Sequence, residues 1–149
     1  MKKFKIVPPV YFLIYMILII PFHFLFSKFN IIKFPYNLLG LLFFTSGIIL
    51  NNISMNLFKK EDTPEELENK PNVLVIRGAY KYSRNPMYLG GLISLIGLAI
   101  ISQNILSFII PILYIITINI IFIQYEEKIL EQLFGNEYLE YKHKVRRWI

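Results

Sequence analysis

"RGAYKYSRNPMYLGGLISLIGLAIIS", residues 77–102, passes from a strip in which Arg77, Lys81 and Arg84 alternate with Tyr80, Tyr82 and Tyr88 directly into a glycine-dotted apolar run. A run entered in this way reads as the mouth of a membrane helix, where the helix satisfies its own backbone polar groups and needs no water. The rest of the chain agrees. Of 149 residues 55% are apolar, 16% aromatic and only 17% charged, which is too greasy for an ordinary small soluble domain. With no cysteine there is no disulfide framework, no thiolate metal site and no cysteine nucleophile, and no metal ion is expected. The net charge of +6 does not point to nucleic acid, because the cations sit beside apolar runs instead of forming a basic face on a soluble scaffold.

Four apolar blocks predict four helices, at about 10–26, 36–58, 87–101 and 105–125. The first follows "MKKFKIVPP", which has the charged start of a signal peptide. No small-residue cleavage site follows it, so a retained helix is expected. The last two blocks are separated by "SQN" alone, a tight helical hairpin. Lys2, Lys3 and Lys5, the 59–86 segment and the stretch after Tyr125 hold 14 of the 16 cations, and the other hairpin turn holds Lys28 and Lys33. The positive-inside rule then puts both ends and the 59–86 segment in the cytoplasm. The expected fold is all-α and integral to the membrane: one domain over 1–149, with a cytoplasmic segment 59–86 and a helical cap over 126–149. The expected location is a prokaryotic cytoplasmic membrane.

Asn51, Asn52, Ser54 and Asn56, at the cytoplasmic end of the second block, are expected to face other helices or a cavity, since a polar side chain in lipid is costly. His23 reads as a packing or snorkelling residue. The strip at 77–88 is more than an interfacial belt of Tyr, Arg and Lys, because of the order of its residues. "NVLVIRGAYKYSRNPMY" predicts a short extended piece at 73–76, a turn at Gly78, a helical turn, and a new helix opening at Pro86, where no amide is needed. Such a broken path leaves amides and carbonyls available to a ligand, and at membrane depth it is tolerated only where protein or a cavity covers it.

"LVIRGAYKYSRNPMYLG", residues 74–90, followed by "EEKILEQLFGNEYLEYKHKVRRW", residues 126–148, resembles the isoprenylcysteine carboxyl methyltransferase and phospholipid methyltransferase superfamily of integral-membrane enzymes. The shared signature is Leu-Val, then Gly-x-Tyr, then Arg-His-Pro-x-Tyr, then a glutamate pair ahead of Phe-Gly-x-x-Tyr-x-x-Tyr. The resemblance covers about residues 55–149. It implies S-adenosyl-L-methionine as cofactor and methyl transfer to a lipophilic or lipid-linked acceptor. The absence of G-x-G-x-x-G between a strand and a helix agrees with a site outside the soluble dinucleotide-binding folds.

Carried over by position, the resemblance puts the cofactor wall at Asn72, Val73, Leu74, Val75, Tyr80, Asn85, Pro86, Met87, Tyr88 and Glu126, with Arg84 and Phe122 on the substrate side. Backbone groups and the Asn85 amide suit adenine, ribose or a carboxylate, aromatic rings suit adenine or a sulfonium, and Glu126 suits the cofactor's amino group. Glu127 is expected to point outward or to stand behind the site, and Tyr138, Tyr141 and Trp148 to anchor the cap at the interface. Asn85 stands where the prenylcysteine enzymes have His, so a titrating role there is absent. Phe122 stands where those enzymes have an arginine that holds the substrate carboxyl. An acceptor with a neutral or amine-like reacting end is therefore expected, unless Arg84 or the basic 142–147 stretch replaces that cation. Two other classes share some of these features, a membrane reductase of the sterol reductase type using NADPH and a nonenzymatic membrane scaffold.

The cation distribution generates a topological prediction. Single cysteines at Ser27 and Ser102 are labelled from outside the cell by an impermeant reagent, and one at Asn69 is not. The opposite labelling pattern would overturn the orientation.

Overall fold

The hydropathy blocks become helices in a computed structural model, which describes residues 7–64 and 71–149. In chain order they are α1 (Pro8–Leu25), α2 (Leu39–Lys60), α3 (Pro86–Ile101), α4 (Ile105–Phe134) and α5 (Asn136–Lys144). Short 3-10 turns at Ser27–Phe29, Tyr36–Leu38 and Gly78–Lys81 join them, and no strand forms among the described residues. The basic stretch Lys2, Lys3 and Lys5 and the 65–70 part of the 59–86 segment, with Asn69, lie outside the described residues.

α1, the Tyr36–Lys60 helix that includes α2, and α4 are long and apolar enough to cross a membrane. α3 is apolar but has 16 residues. It is thus about 24 Å long at 1.5 Å per residue, short of the roughly 30 Å hydrocarbon core. Large apolar side chains on α1 and α2, among them Ile17, Ile20, Phe24, Leu42 and Ile49, lie exposed on the outside, as lipid-facing side chains must. The fold is an all-α membrane protein.

α2 and α3 approach so closely that glycine is required at the crossing. A Cβ on Gly40 or Gly47 would run into the backbone of Gly97 or Gly90, and one on Gly97 would strike the backbone nitrogen of Phe44. The Ser94 hydroxyl donates to the Phe44 carbonyl at 3.2 Å across the same seam. In lipid, where apolar contact alone does not drive association, such close backbone packing supplies the attraction.

The turn between α3 and α4 is closed by Asn104. Its fully buried side chain accepts from the Leu106 amide at 2.9 Å and donates to the carbonyls of Phe22 and Phe26 and to Asn30 Oδ1 at 2.7–3.0 Å. His23 Nδ1 lies 2.8 Å from the Ser102 carbonyl, so this histidine ties α1 to the same turn.

Two expectations change here. Asn51 and Ser54 face inward, but Asn52 and Asn56 lie exposed on the outer face of α2. The cost at Asn52 is reduced by its own helix, because its Nδ2 donates to the Ile48 carbonyl at 2.8 Å. The fourth helix does not stop near Tyr125 but continues to Phe134, because "QYEEKILEQLF" holds no breaker before Gly135.

The seam generates the next prediction. Gly97→Val pushes backbone against backbone and lowers stability by about 1–3 kcal/mol, read as a lower thermal midpoint in detergent. Leu42→Ala on the outer face costs under about 0.5 kcal/mol. Equal effects would contradict the assigned contact.

Candidate functional site

In the segment between α2 and α3, residues 71–77 form neither helix nor strand before Gly78. Gly78 adopts φ +61°, a left-handed conformation that suits glycine, and turns the chain into a single 3-10 turn. That turn buries Tyr80, whose ring meets Phe58 edge-on at 5.6 Å and whose carbonyl accepts from the Tyr141 hydroxyl at 2.7 Å. Beyond it the Ser83 hydroxyl accepts from the Asn85 amide at 3.1 Å, and Pro86 opens α3. In the first turn of α3 the Tyr88 hydroxyl donates to Glu126 Oε1 at 2.7 Å.

Residues 145–149 return to this segment and lie against it. The Arg84 amide donates to the Arg146 carbonyl at 3.0 Å, while the Ser83 hydroxyl (3.3 Å) and Asn85 Nδ2 (3.0 Å) donate to the Arg147 carbonyl. The Arg147 side chain then crosses to α4, where Nε and Nη2 take the two oxygens of Glu127 at 3.0 and 2.7 Å and Nη1 donates to Asn119 Oδ1 at 3.1 Å. Arg84 Nη2 meets the same carboxylate at 3.2 Å. Both Arg84 and Glu127 are deeply buried, with side chains 9% and 7% exposed.

One of these contacts, at Asn119, lies on a local irregularity in α4. Asn119–Ile123 forms a π turn, which takes up an extra residue. Phe122 and the neighbouring Ile123 at its end are both buried, and beyond it Glu126 and Glu127 both line the cavity. Although the two glutamates diverge by about 100° on the α-helical stretch that follows, both find partners, Glu126 in Tyr88 and Glu127 in Arg84 of the 71–85 segment and Arg147 of residues 145–149. Glu127 is therefore not outward-facing, which corrects the expectation.

The elements enclose a cavity of about 630 Å³. Its walls are α1 (Phe12), α2 (Ile48, Asn51, Met55, Phe58), the 71–85 segment, α3, α4 and α5. Val73, Leu74, Val75, Tyr80, Arg84, Asn85, Met87, Tyr88, Phe122 and Glu126 line it together. Two residues of the expected set do not. Asn72 is exposed, with its amide donating to Thr63 Oγ1 at 3.2 Å, and Pro86 is buried in the opening turn of α3, where its role is to start the helix.

Several wall residues lay beyond sequence reasoning. Tyr138 and Tyr141 are buried against Leu74 and line the cavity, so they are not interfacial anchors. Trp148 packs against the core cluster of Leu95, Ile118 and Phe122, which corrects its expected interfacial role too. Burial pushes the Tyr138 and Tyr141 hydroxyls above the ordinary phenol range, so both are neutral at physiological pH. Tyr114 was also not anticipated, whereas Asn51 faces the cavity as expected, its Nδ2 donating to the Met87 carbonyl at 3.2 Å; both line the part of the wall contributed by the apolar helices.

One polar group in this wall is incompletely matched. Arg84 Nε and Nη1 are buried and have no hydrogen-bond partner among the described residues. Buried donors without acceptors are costly, and a cation with two of them suits an anionic ligand group.

The chain is similar to known proteins over much of its length. The phospholipid methyltransferase family profile matches residues 35–137. Protein-S-isoprenylcysteine O-methyltransferase of Saccharomyces cerevisiae is 42% identical over 74 residues, which is 50% of this chain and 31% of the yeast protein. An uncharacterized protein of Haemophilus influenzae is 43% identical over 63 residues, 42% of this chain and the whole of that protein. The chain thus spans about a third of the yeast enzyme's length. No solved structure matches. The family match covers α2, the 71–85 segment, α3, α4 and the opening of α5, and the chain belongs to the phospholipid methyltransferase family.

Proposed function

We propose that this protein is a membrane methyltransferase in which S-adenosyl-L-methionine occupies the cavity beside the 71–88 segment and a lipophilic acceptor reaches it from the bilayer. The observation that carries the reading is a cavity walled on one side by irregular backbone and buried charge and on the other by Phe12, Ile48, Gly91, Ser94 and Tyr114 of the apolar helices. A water-soluble cofactor and a lipid-soluble acceptor require such a divided wall. The orientation goes with this reading, with both ends of the sequence and the 59–86 segment on the cytoplasmic face, where the cofactor is available.

The residues present fit the cofactor. Arg84 brings two unpartnered buried donors for an anionic group, either the carboxylate of the cofactor or an acidic group on the acceptor. Glu126, held by Tyr88, supplies a carboxylate for an amino group. Val73, Leu74 and Val75, which pair with no strand, offer backbone groups and apolar surface for the adenosine part, with Tyr80, Asn85 and Met87 around it. When bound, S-adenosyl-L-methionine supplies a methyl group already activated by its sulfonium.

The chain then has to align the reactants and exclude water, which supplies a large part of the rate in such a displacement. Tyr138 and Tyr141 of α5 cover one side of the cavity, and Tyr88 holds Glu126 in a fixed orientation. Phe122, buried and meeting the Tyr11 ring edge-on at 5.3 Å, puts an aromatic surface beside the acceptor. This favours a neutral or amine-like reacting end over a free carboxylate.

Ligand-induced stabilisation tests the reading. S-adenosyl-L-methionine at 100 times its dissociation constant stabilises the purified protein by about 2.7 kcal/mol, and NADPH leaves it unchanged. Glu126→Gln weakens the cofactor by about 1–3 kcal/mol through loss of the charge-assisted contact. Stabilisation by NADPH instead, or by neither compound, would overturn the proposal.

A further inference from the structure

Two guanidiniums compete for one carboxylate in the cavity wall. Arg147 holds Glu127 as a fork, with Nε on Oε1 and Nη2 on Oε2, and Asn119 fixes its third nitrogen. Arg84 reaches Glu127 only through Nη2, at 3.2 Å from Oε1, the oxygen that Arg147 Nε already uses. Its Nε and Nη1 remain buried without an acceptor among the described residues. A guanidinium and a carboxylate pair best through two parallel hydrogen bonds. With Arg147 absent, Glu127 is free to turn and take Arg84 in that way, which would satisfy one of the two donors that now have no partner. The neighbouring carboxylate does not compete in the same way, because Glu126 Oε1 is engaged by the Tyr88 hydroxyl.

We infer that Arg147 is a positioning residue: by occupying Glu127 as a fork it prevents that carboxylate from capturing Arg84, and so keeps Arg84 Nε and Nη1 open to an anionic group bound in the cavity. This rests on the reading above, in which Arg84 meets an anionic ligand. The chain supports the role in two further ways. The Arg147 carbonyl is held by Ser83 and Asn85, on either side of Arg84, so the two arginines are fixed relative to each other through backbone as well as through Glu127. The Arg147 side chain is 33% exposed, whereas Arg84 and Glu127 are nearly enclosed, so the fork closes the buried pair from the solvent side.

The test compares probes with and without a carboxylate. S-adenosylhomocysteine carries the amino-acid carboxylate, methylthioadenosine keeps the nucleoside and thioether without it, and N-acetyl-S-farnesylcysteine carries a carboxylate on a lipid. Arg147→Met weakens binding of a carboxylate probe about tenfold, the scale of one charge-assisted hydrogen bond, and leaves methylthioadenosine unchanged. Arg147→Met combined with Glu127→Gln restores that binding to within about twofold of the unmodified protein, because no carboxylate remains to capture Arg84. Arg147→Lys, a point charge without the fork, falls between. A loss on S-adenosylhomocysteine assigns the anion to the cofactor, and a loss confined to the farnesyl probe assigns it to the acceptor.

Thermal unfolding of each variant shows which are folded, and if Arg147→Met is not, Arg147→Lys decides by the same comparison. Equal weakening of all probes, or a double variant weaker than the single one, would show a structural role alone and overturn the inference. So would normal binding by both Arg147 variants. Failure of every probe to bind the unmodified protein would instead overturn the methyltransferase reading, and this inference with it.

Discussion

Glu127 is a buried carboxylate with two guanidiniums upon it, and the rest of the site depends on that arrangement. Moving an ion from water into a protein interior costs several kcal/mol, and the cost is recovered only where the counter-charges and their hydrogen bonds are well placed. Here the partners come from three parts of the chain: the end of the irregular 71–85 segment, the middle of α4, and residues 145–149, which follow α5. Their convergence holds a non-helical segment against a membrane helix. The arrangement carries one more positive than negative charge, and the excess is expressed at Arg84, the residue left with unsatisfied donors on the cavity.

The bilayer imposes the complementary constraint. Irregular backbone is excluded from contact with hydrocarbon, so the 71–85 segment is viable only under cover. α5 supplies that cover with Tyr138 and Tyr141, and the bond from the Tyr141 hydroxyl to the Tyr80 carbonyl satisfies one of the exposed backbone acceptors. At the other end of the molecule Asn104 holds the α3–α4 turn to α1, and the glycine seam holds α2 to α3. The cavity lies between these fixed ends, with walls from both the apolar helices and the polar segment.

Much of this was legible in the sequence, because hydropathy and backbone punctuation are local properties. The apolar blocks, the turn at Gly78 and the helix start at Pro86 could each be read from a few neighbouring residues. Most of the expected cavity residues also cluster, because the strip from Val73 to Tyr88 carries them on one continuous path. Other features depended on distant contacts. The π turn at Asn119–Ile123 has the same apolar composition as the helix around it, so nothing local marked it, and the inward position of Glu127 rests on Arg84 and Arg147, which are distant in sequence. Arg147 sits in a basic run that resembles a solvated interface, and only its partners Glu127 and Asn119 distinguish it. Tyr138 and Tyr141 are ordinary aromatic residues on an amphipathic helix until the 71–85 segment is folded against them. The shortness of α3 was legible too, since the third apolar block was read at 87–101 and the helix runs from Pro86 to Ile101.

The central claim is that a nucleoside cofactor occupies the cavity between the 71–88 segment, α4 and α5. Ultraviolet cross-linking of S-adenosyl-L-methionine carrying a labelled methyl group, followed by mass-spectrometric mapping of the modified peptides, addresses it directly. The account predicts label within residues 73–88 or at Tyr138 and Tyr141, competed away by excess S-adenosylhomocysteine. Label confined to the outer faces of α1 and α2, or label that S-adenosylhomocysteine does not displace, would contradict it.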